Sequence, residues 1–510
     1  MRTHVIMAIA LGLCGLGASR AAHAGGFEIP DNGTEALGRG GAFVAKADDG
    51  TALEYNIAGL ARQRGTRITL NGNFLFHDTQ FTRAGTYASD PSTPGYGAYG
   101  GLRYPTIHDS NRIGALPFIA VTTDFGWFKR WTFGFGLYTP SSIAQHNYNV
   151  GPRAAGATDD PPAQVTLPGG VVAPGPGRYD VARTNLLIVY PTLAAAVRLA
   201  RWIDIGAAFQ IVYSRLDLAN ASVTPFGGGT CGPTGESPGC DAYAEIRTTG
   251  VTAAALASVM LHPVRWLDLG GTFRTPIDIN TKGTLHATPP PIFPTPLPDQ
   301  QATFRTRMPL WFRLGARFVS RYHDGTERFD IEGNFVYEHW SSEKAAVLRV
   351  ENFTTPIDPN NPYVFTAAIS HNYRNTAGLR LGGAYNFWLG ERTRLIGRLG
   401  YYYDSSATRN ADTRLDFNTF QKYGFTAGLG IRWSGLTVNV AYAYVYSPSR
   451  TVTDSRVLAL SSFNGSNLDP SRGDPVVTVG NGRYEQRLQI FSIGVTISPG
   501  DFKRKQLPPN

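Results

Sequence analysis

From about Thr66 onward, apolar and polar residues alternate with a period of two over long segments, the mark of strands with two unlike faces. In ATFRTRMPLWFRLGARFV (302–319), Phe304, Thr306, Met308, Leu310, Phe312, Leu314, Ala316 and Phe318 fall on one face. Arg305, Arg307, Trp311, Arg313 and Arg317 fall on the other. RLQIFSIGVTIS sets Phe491, Ile493, Val495 and Ile497 against Ser492, Gly494, Thr496 and Ser498. TRLIGRLGYYYD sets Leu395, Leu399, Tyr401 and Tyr403 against Arg394 and Arg398. A soluble sandwich also alternates, but strands of globular sheets average ~5–6 residues, and these run far longer. An arginine on an inner face needs water or a carboxylate, because an unpaired charge in an apolar interior is prohibitive. A polar lumen with a lipid-facing exterior satisfies both faces.

The pattern predicts about fourteen strands, near 66–78, 111–124, 130–139, 181–199, 202–218, 245–262, 265–284, 302–320, 328–343, 371–388, 392–404, 420–433, 435–447 and 484–498. Short turns, among them DFGWFK, LARW, LHPVRW, FWLGERT and WSG, alternate with long loops near 79–110, 140–180, 219–244, 285–301, 344–370, 405–419 and 448–483. An even strand number, with tight turns at one end and long loops at the other, is how outer-membrane barrels are organised. Trp127, Trp131, Trp202, Trp266, Trp340, Trp388 and Trp433 lie near strand ends, where interfacial girdles belong. The expected fold is all-β, a transmembrane antiparallel β-barrel of about 14 strands spanning residues 66–498, followed by a periplasmic tail over 499–510.

The head of the chain fits an exported protein. Residues 1–24 combine Arg2, an apolar stretch from Val5 to Gly17 and the small-residue site Ala22-His23-Ala24, so they read as a signal peptide. No later run of ~18 apolar residues offers a membrane-spanning helix. Glycine and aromatics are abundant while cysteine is scarce. Cys231 and Cys240, within CGPTGESPGC, are placed for a local disulfide in an oxidising compartment; a zinc pair lacks further ligands nearby. The net charge of +9 comes without a basic run interleaved with aromatics, which argues against nucleic acid as a partner.

Residues 25–65 break the rhythm. GGFEIPDNGTEALGRGGAFVAKADDGTALEYNIAGL is glycine-rich, non-alternating and too long for an ordinary connection. A fourteen-strand lumen leaks unless something fills it, and small residues allow a segment to pack closely against the wall. The expected role is an N-terminal hatch inside the lumen. Its sequence resembles the hatch of the FadL/TodX family of outer-membrane transporters for long-chain fatty acids and other hydrophobic compounds. The matching residues are Gly26-Phe27, Leu37-Gly38-Arg39, Ala47-Asp48-Asp49, and Asn56 with Ala58 and Gly59; Ile57 replaces the family's proline. YPTLAAAVRLARWIDIGAAFQIVYSRLDL and the later hairpin around Asp404-Ser405 extend the resemblance more thinly.

The resemblance implies uptake of a long-chain fatty acid or other hydrophobic compound. The ligand would be captured among extracellular loops, passed to a lumenal pocket touching the hatch, and released sideways through a gap made by the third strand. Gly134, Gly136 and Pro140 of RWTFGFGLYTP are the candidates for that gap. Phe27 and Ile29, by their place in the hatch, and the lumenal Arg313 and Arg317 are the candidate ligand contacts. The implied setting is the outer membrane of a Gram-negative bacterium, with lipid, lipopolysaccharide and the barrel assembly machinery as surroundings. The family pattern further implies a monomer without cofactor or metal, and Phe491 as a candidate internal assembly signal. Rival readings are a general porin for small polar solutes and a surface adhesin or phage receptor. An enzyme is not expected: neither G-x-S-x-G nor H-E-x-x-H occurs, and His77, His108 and His339 read as polar residues of the barrel rim.

Overall fold

The computed structural model describes residues 32–88, 98–140, 145–148, 164–223, 241–290, 297–354, 360–389, 392–417, 419–460 and 478–500. The alternation of β1 (Arg67–Arg83) is matched by that of the last strand, β14 (Gly482–Ile497). The two pair along their length, from Ile68 opposite Ile497 to Arg83 opposite Gly482, and so close the sheet on itself. Between them run β2 (Thr106–His108 and Ile113–Thr123), β3 (Trp131–Tyr138 and Gln145–Asn147), β4 (Arg183–Arg198), β5 (Ile203–Val223) and β6 (Asp241–Val264). Then follow β7 (Leu267–Arg274 and Ile277–Thr288), β8 (Gln300–Met308 and Trp311–Arg321), β9 (Glu327–Glu338 and Ala345–Phe353) and β10 (Tyr363–Ser370 and Thr376–Trp388). The circuit ends through β11 (Thr393–Asp404), β12 (Lys422–Trp433) and β13 (Leu436–Tyr446). Each strand is antiparallel to its neighbours, and among the described residues fourteen form the closed wall, as the sequence pattern predicts.

The outer face is apolar. Leu193, Phe209, Leu314, Leu381, Leu399, Leu429 and Phe491 are exposed on it, which suits hydrocarbon rather than water. Connections at one end are tight, down to Ser434-Gly435 between β12 and β13, and Trp127, Trp131, Trp202, Trp266 and Trp433 stand exposed beside those turns. Trp340 does not join this girdle. It is 1% exposed, stacks edge-on against Tyr373 and donates its indole N–H to Glu338 at 2.6 Å.

The structure corrects two readings of the pattern. The stretch 302–319 has no single inner face: Phe304 and Met308 point inward above a break at Pro309-Leu310, while Trp311, Arg313 and Arg317 point inward below it. Proline cannot donate to the ladder, so the strand breaks there and resumes with its phase shifted by one residue. The expected loop 344–370 contains a paired hairpin, Ala345–Phe353 against Tyr363–Ser370, which lifts β9 and β10 above the apolar band. Its outward side chains mix the charged Arg349 and Glu351 with Val364 and Ala368, so it lacks the continuous lipid-facing pattern.

The lumen is accordingly divided. In the half towards the tight turns the wall presents Arg317, Asp330, Glu332, Asn334 and Thr272 to the interior. In the half towards the long loops it presents Ile188, Tyr190, Val212, Leu216, Ile277, Met308 and Trp311, which form one continuous buried apolar cluster.

Candidate functional site

The segment before β1 fills the polar half. It contains two short helices, α1 (Thr34–Gly38) and α2 (Ala52–Tyr55), and a 3-10 helix (Ile57–Arg62). Phe43, Leu53, Ile57 and Leu60 are all fully buried. So little regular structure leaves many backbone groups without internal partners, and buried ones must find them elsewhere. The wall supplies them. Asn334 Oδ1 accepts from the N–H groups of Phe43 (2.9 Å) and Val44 (3.2 Å), and Glu332 Oε1 from that of Ala45 (2.7 Å). Thr272 Oγ1 donates to Tyr55 O at 2.8 Å, and Ser258 Oγ accepts from Ala58 N at 2.8 Å. Wall glycines make the close approach possible: a Cβ on Gly382 would lie 2.0 Å from Arg39 O, and one on Gly400 2.1 Å from Arg39 C.

One ionic cluster fixes this segment to the wall. Arg39 donates to both carboxylate oxygens of Asp330, at 3.0 and 2.5 Å, with Glu332 at 3.6 Å. Arg317 binds the same Asp330 at 2.9 Å, together with Glu327 at 2.6 Å and Asp268 at 3.3 Å. Glu35 is paired with Lys46 and with Arg398, each at 3.1 Å. Burial alone would raise the Glu35 carboxyl, but Arg398 and Lys46 outweigh it and hold it below the usual carboxylate range. Burial, reinforced by the Glu35 charge, pushes Asp49 up to about 6, although Thr51 donates to it through both N and Oγ1.

Among the described residues the ladder between β2 and β3 is incomplete. β3 pairs with β2 only from Phe133 opposite Thr123 to Tyr138 opposite Phe118. Beyond this, Ile113–Pro117 of β2 pair with β1, and Gln145–Asn147 of β3 pair with β4, but among the described residues no ladder joins the two strands. Contact resumes above, where Ser110 N and Oγ both donate to Asn147 O at 2.8 Å and Asn147 N donates to Asp109 Oδ1 at 2.9 Å. Between lies a cavity of 120 Å³. Its lining runs from Ile113 and Leu187, exposed on the outer face, to Leu75, His77, Leu186 and Ile188, buried on the inner one, with Thr139 and Pro140 on its edge. Unpaired backbone at membrane depth is tolerated where it lines such a cavity.

The sequence-predicted residues fall in different parts of this arrangement. Gly26, Phe27, Ile29, Cys231 and Cys240 lie outside the described residues. Gly38 packs on Gly428, where a Cβ would come within 3.0 Å of the Gly428 Cα. Asp48 pairs with Lys46 at 2.5 Å. Asn56 donates to Val44 O (2.8 Å) and Val259 O (3.1 Å) and caps the 3-10 helix through Ala58 N, and Ile57 occupies the first helical position. Proline suits that position, so the substitution keeps the turn. Arg313 reaches Glu54 (O at 3.4 Å, Oε1 at 4.0 Å) and lies over the rings of Trp311 and Tyr55; Arg317 is taken up by three carboxylates. Arg313 therefore joins the wall to the plug directly, whereas Arg317 pairs only with wall carboxylates, sharing Asp330 with Arg39.

Gly134 and Gly136 do not interrupt the ladder. They pair with Thr122 and Ala120 on one side and with Ala194 and Thr192 on the other. Their missing side chains make room for the plug: a Cβ would meet Leu53 at 2.9 and 2.6 Å respectively. We expect Gly136→Val to displace Leu53 and lower the unfolding temperature of the detergent-purified protein by a few degrees, an overpacking cost of ~1–3 kcal/mol; an unchanged transition would show that Leu53 has slack. Of the candidates for the gap, Pro140 borders it. Pro117, inside β2 and without an N–H, is the sequence signal for where pairing to β3 ends, since proline is confined to edges and irregularities. Leu186 and Ile188 carry no such signal, because they look like any alternating wall position.

A barrel with an apolar belt, a filled lumen and a gap in its wall belongs to the class of outer-membrane channels. Residues 173–475 match the family described as outer membrane protein transport protein (OMPP1/FadL/TodX), and the chain belongs to that family. The match runs from before β4 to beyond β13, so it stands independently of the plug motif. The fold is shared with a FadL homologue of Pseudomonas aeruginosa, at 17% identity and a TM-score of 0.66 over 94% of this chain and 100% of that one. It is also shared with the toluene transporters TodX of P. putida (12%, 0.60, covering 94% and 99%) and TbuX of Ralstonia pickettii (12%, 0.58, covering 92% and 99%). No curated protein sequence matches the chain. It is thus a multi-pass β-barrel of the Gram-negative outer membrane and a transport channel rather than an enzyme.

Proposed function

We propose that the channel takes up long-chain fatty acids or other hydrophobic compounds, holding them in the apolar half of the lumen and releasing them sideways through the β2–β3 gap. The observation that supports this reading is the double membership of Leu186 and Ile188: both belong to the buried apolar cluster and both line the gap. An apolar molecule in the upper lumen therefore meets an apolar route through the wall, while the direct route downward is closed by the plug and its ion pairs. Release into the membrane also avoids the cost of returning an apolar chain to water, ~0.8 kcal/mol per CH₂. The toluene transporters among the structural relatives fit the same kind of cargo.

Two measurements test it. The protein purified in mild detergent should carry apolar ligands detectable by mass spectrometry and bind a fluorescent fatty acid; absence of both, with swelling of proteoliposomes in small sugars, would establish a polar porin instead. Leu116 lines the gap, and Leu116→Trp should fill it, cutting fatty-acid uptake by cells about tenfold or more, equivalent to ~1.4 kcal/mol on the barrier to passage. Binding by the purified variant should persist. Undiminished uptake with a folded barrel would exclude this gap as the exit.

A further inference from the structure

Where β5 to β10 rise above the apolar belt, their outer face turns basic. On β5 the exposed side chains are Ile205, Phe209, Ile211 and Tyr213, and the next outward one is Arg215. From Ile205 to Arg215 the strand climbs ~25 Å, at ~3.4 Å per residue and a tilt of ~40°, which is the height of the apolar band of an outer-membrane barrel. Arg215 therefore stands where hydrocarbon gives way to lipid headgroups, on the side of the long loops. The ladder carries this border across the neighbouring strands. Arg215 lies beside Thr249, Thr249 beside Lys282, Lys282 beside Thr303 and Thr303 beside Arg349; two residues from Thr303 on β8, Arg305 lies beside Asn280.

Most of the cations on this face are already paired. Arg215 meets Asp217 at 3.4 Å, Arg247 meets Glu245 at 2.6 Å, Arg307 meets Asp278 at 2.5 Å and Arg349 meets Glu351 at 2.7 Å. Lys282 and Arg305 differ. Both are exposed, and among the described residues neither side chain has a hydrogen bond or an ion pair. They are diagonal neighbours on β7 and β8, with Cβ atoms ~7–8 Å apart, so two such long side chains can converge on one group. Like charges held this close repel each other, and an anion between them reverses the sign of the interaction.

We propose that Lys282 and Arg305 bind the phosphate of a phosphorylated lipid of the outer leaflet, with Thr303 and Asn280 as neutral donors to the same headgroup. Arginine offers a planar fork that matches two phosphate oxygens, and lysine a compact point charge. The page favours a lipid over a free phosphate ion because exposed apolar side chains lie next to the cations on the membrane side: Val251, two residues below Thr249, is 67% exposed and paired with Tyr213. Acyl chains can rest there while the head is held above. The site is on β7 and β8, away from the β2–β3 gap, so it stands independently of the transport reading.

Native mass spectrometry of the full chain in mild detergent tests this, with diphosphoryl lipid A, its dephosphorylated form and inorganic phosphate as probes. The wild type should prefer the diphosphoryl lipid by about tenfold or more, the worth of a charge-assisted hydrogen bond, and inorganic phosphate should not displace it. Lys282→Gln combined with Arg305→Gln should remove the preference. Lys129→Gln combined with Arg130→Gln deletes the same charge from an exposed tight turn at the other end and should keep it. Arg305→Gln serves alone if the double variant lacks the heat-modifiable migration of a folded barrel. Equal binding of the two lipids by the wild type, a preference that survives Lys282→Gln with Arg305→Gln, or an equal loss in the Lys129 and Arg130 variant would each overturn the proposal. Displacement by inorganic phosphate would reveal a free-anion site and overturn the lipid assignment. None of these results bears on fatty-acid binding, so failure here leaves transport standing.

Discussion

Deleting residues 25–60 should turn a closed barrel into a conducting one. In planar bilayers the single-channel conductance is expected to rise by about an order of magnitude or more, because a fourteen-strand wall without its filling encloses an aqueous bore. The segment's side chains meet both halves of the lumen: Leu53, Ile57 and Leu60 join the apolar cluster from the side of the tight turns, and Arg39 sits among the acids of the polar half. With them gone, the cluster loses its floor, and Asp330, Glu332 and Asn334 face a space that only water and ions can fill. The wall should still form, since β1 to β14 pair without help from the deleted residues. Conductance equal to that of the intact chain, in a deletion that inserts and shows a barrel's heat-modifiable migration, would mean that the loops alone seal the pore.

The β-rhythm made the wall legible because lipid outside and a filled lumen inside impose opposite demands on alternate residues. It failed where one of those demands lapses. Around Ala345–Phe353 the outer face meets water, so Arg349 and Glu351 remove the apolar half of the pattern. At Pro309 the alternation runs on in the sequence while the strand does not, so the pattern predicts a polar inner face along a stretch whose upper part is apolar inside. The plug was visible as an absence of rhythm, and its motif residues are structural: Asn56 closes a turn and Gly38 allows contact with Gly428. Its seats were not visible. Gly382, Gly400 and Asp330 lie more than two hundred residues away, and nothing local marks a wall glycine as a docking point. The gap was half legible, for the same reason that β2 and β3 are unusual: Pro117 and Pro140 announce the end of pairing, whereas Leu186 and Ile188 contribute by position alone.

The second large effect is expected at Arg39. Arg39→Met should loosen the plug while sparing the wall. Arg39 is fully buried and shares Asp330 with Arg317; its loss leaves Glu332 without its nearest cation and Asp330 with one partner. Removing one member of a buried ion pair commonly costs ~3–5 kcal/mol, because the remaining charge stays desolvated. The cost falls on docking of the plug, since Asp330 keeps its place in β9 through the ladder to β8 and β10. A penalty of ~3 kcal/mol multiplies the undocked population by more than about a hundredfold, which limited proteolysis should read as faster cleavage within residues 32–65 and bilayer recordings as bursts of conductance. Arg39→Lys should fall between the two, keeping the charge and losing the two-pronged grip on Asp330. If Arg39→Met is as protease-resistant and as silent as the wild type, the plug is held by packing around Leu37, Phe43 and Leu53, and the ion pairs follow from burial without fixing it.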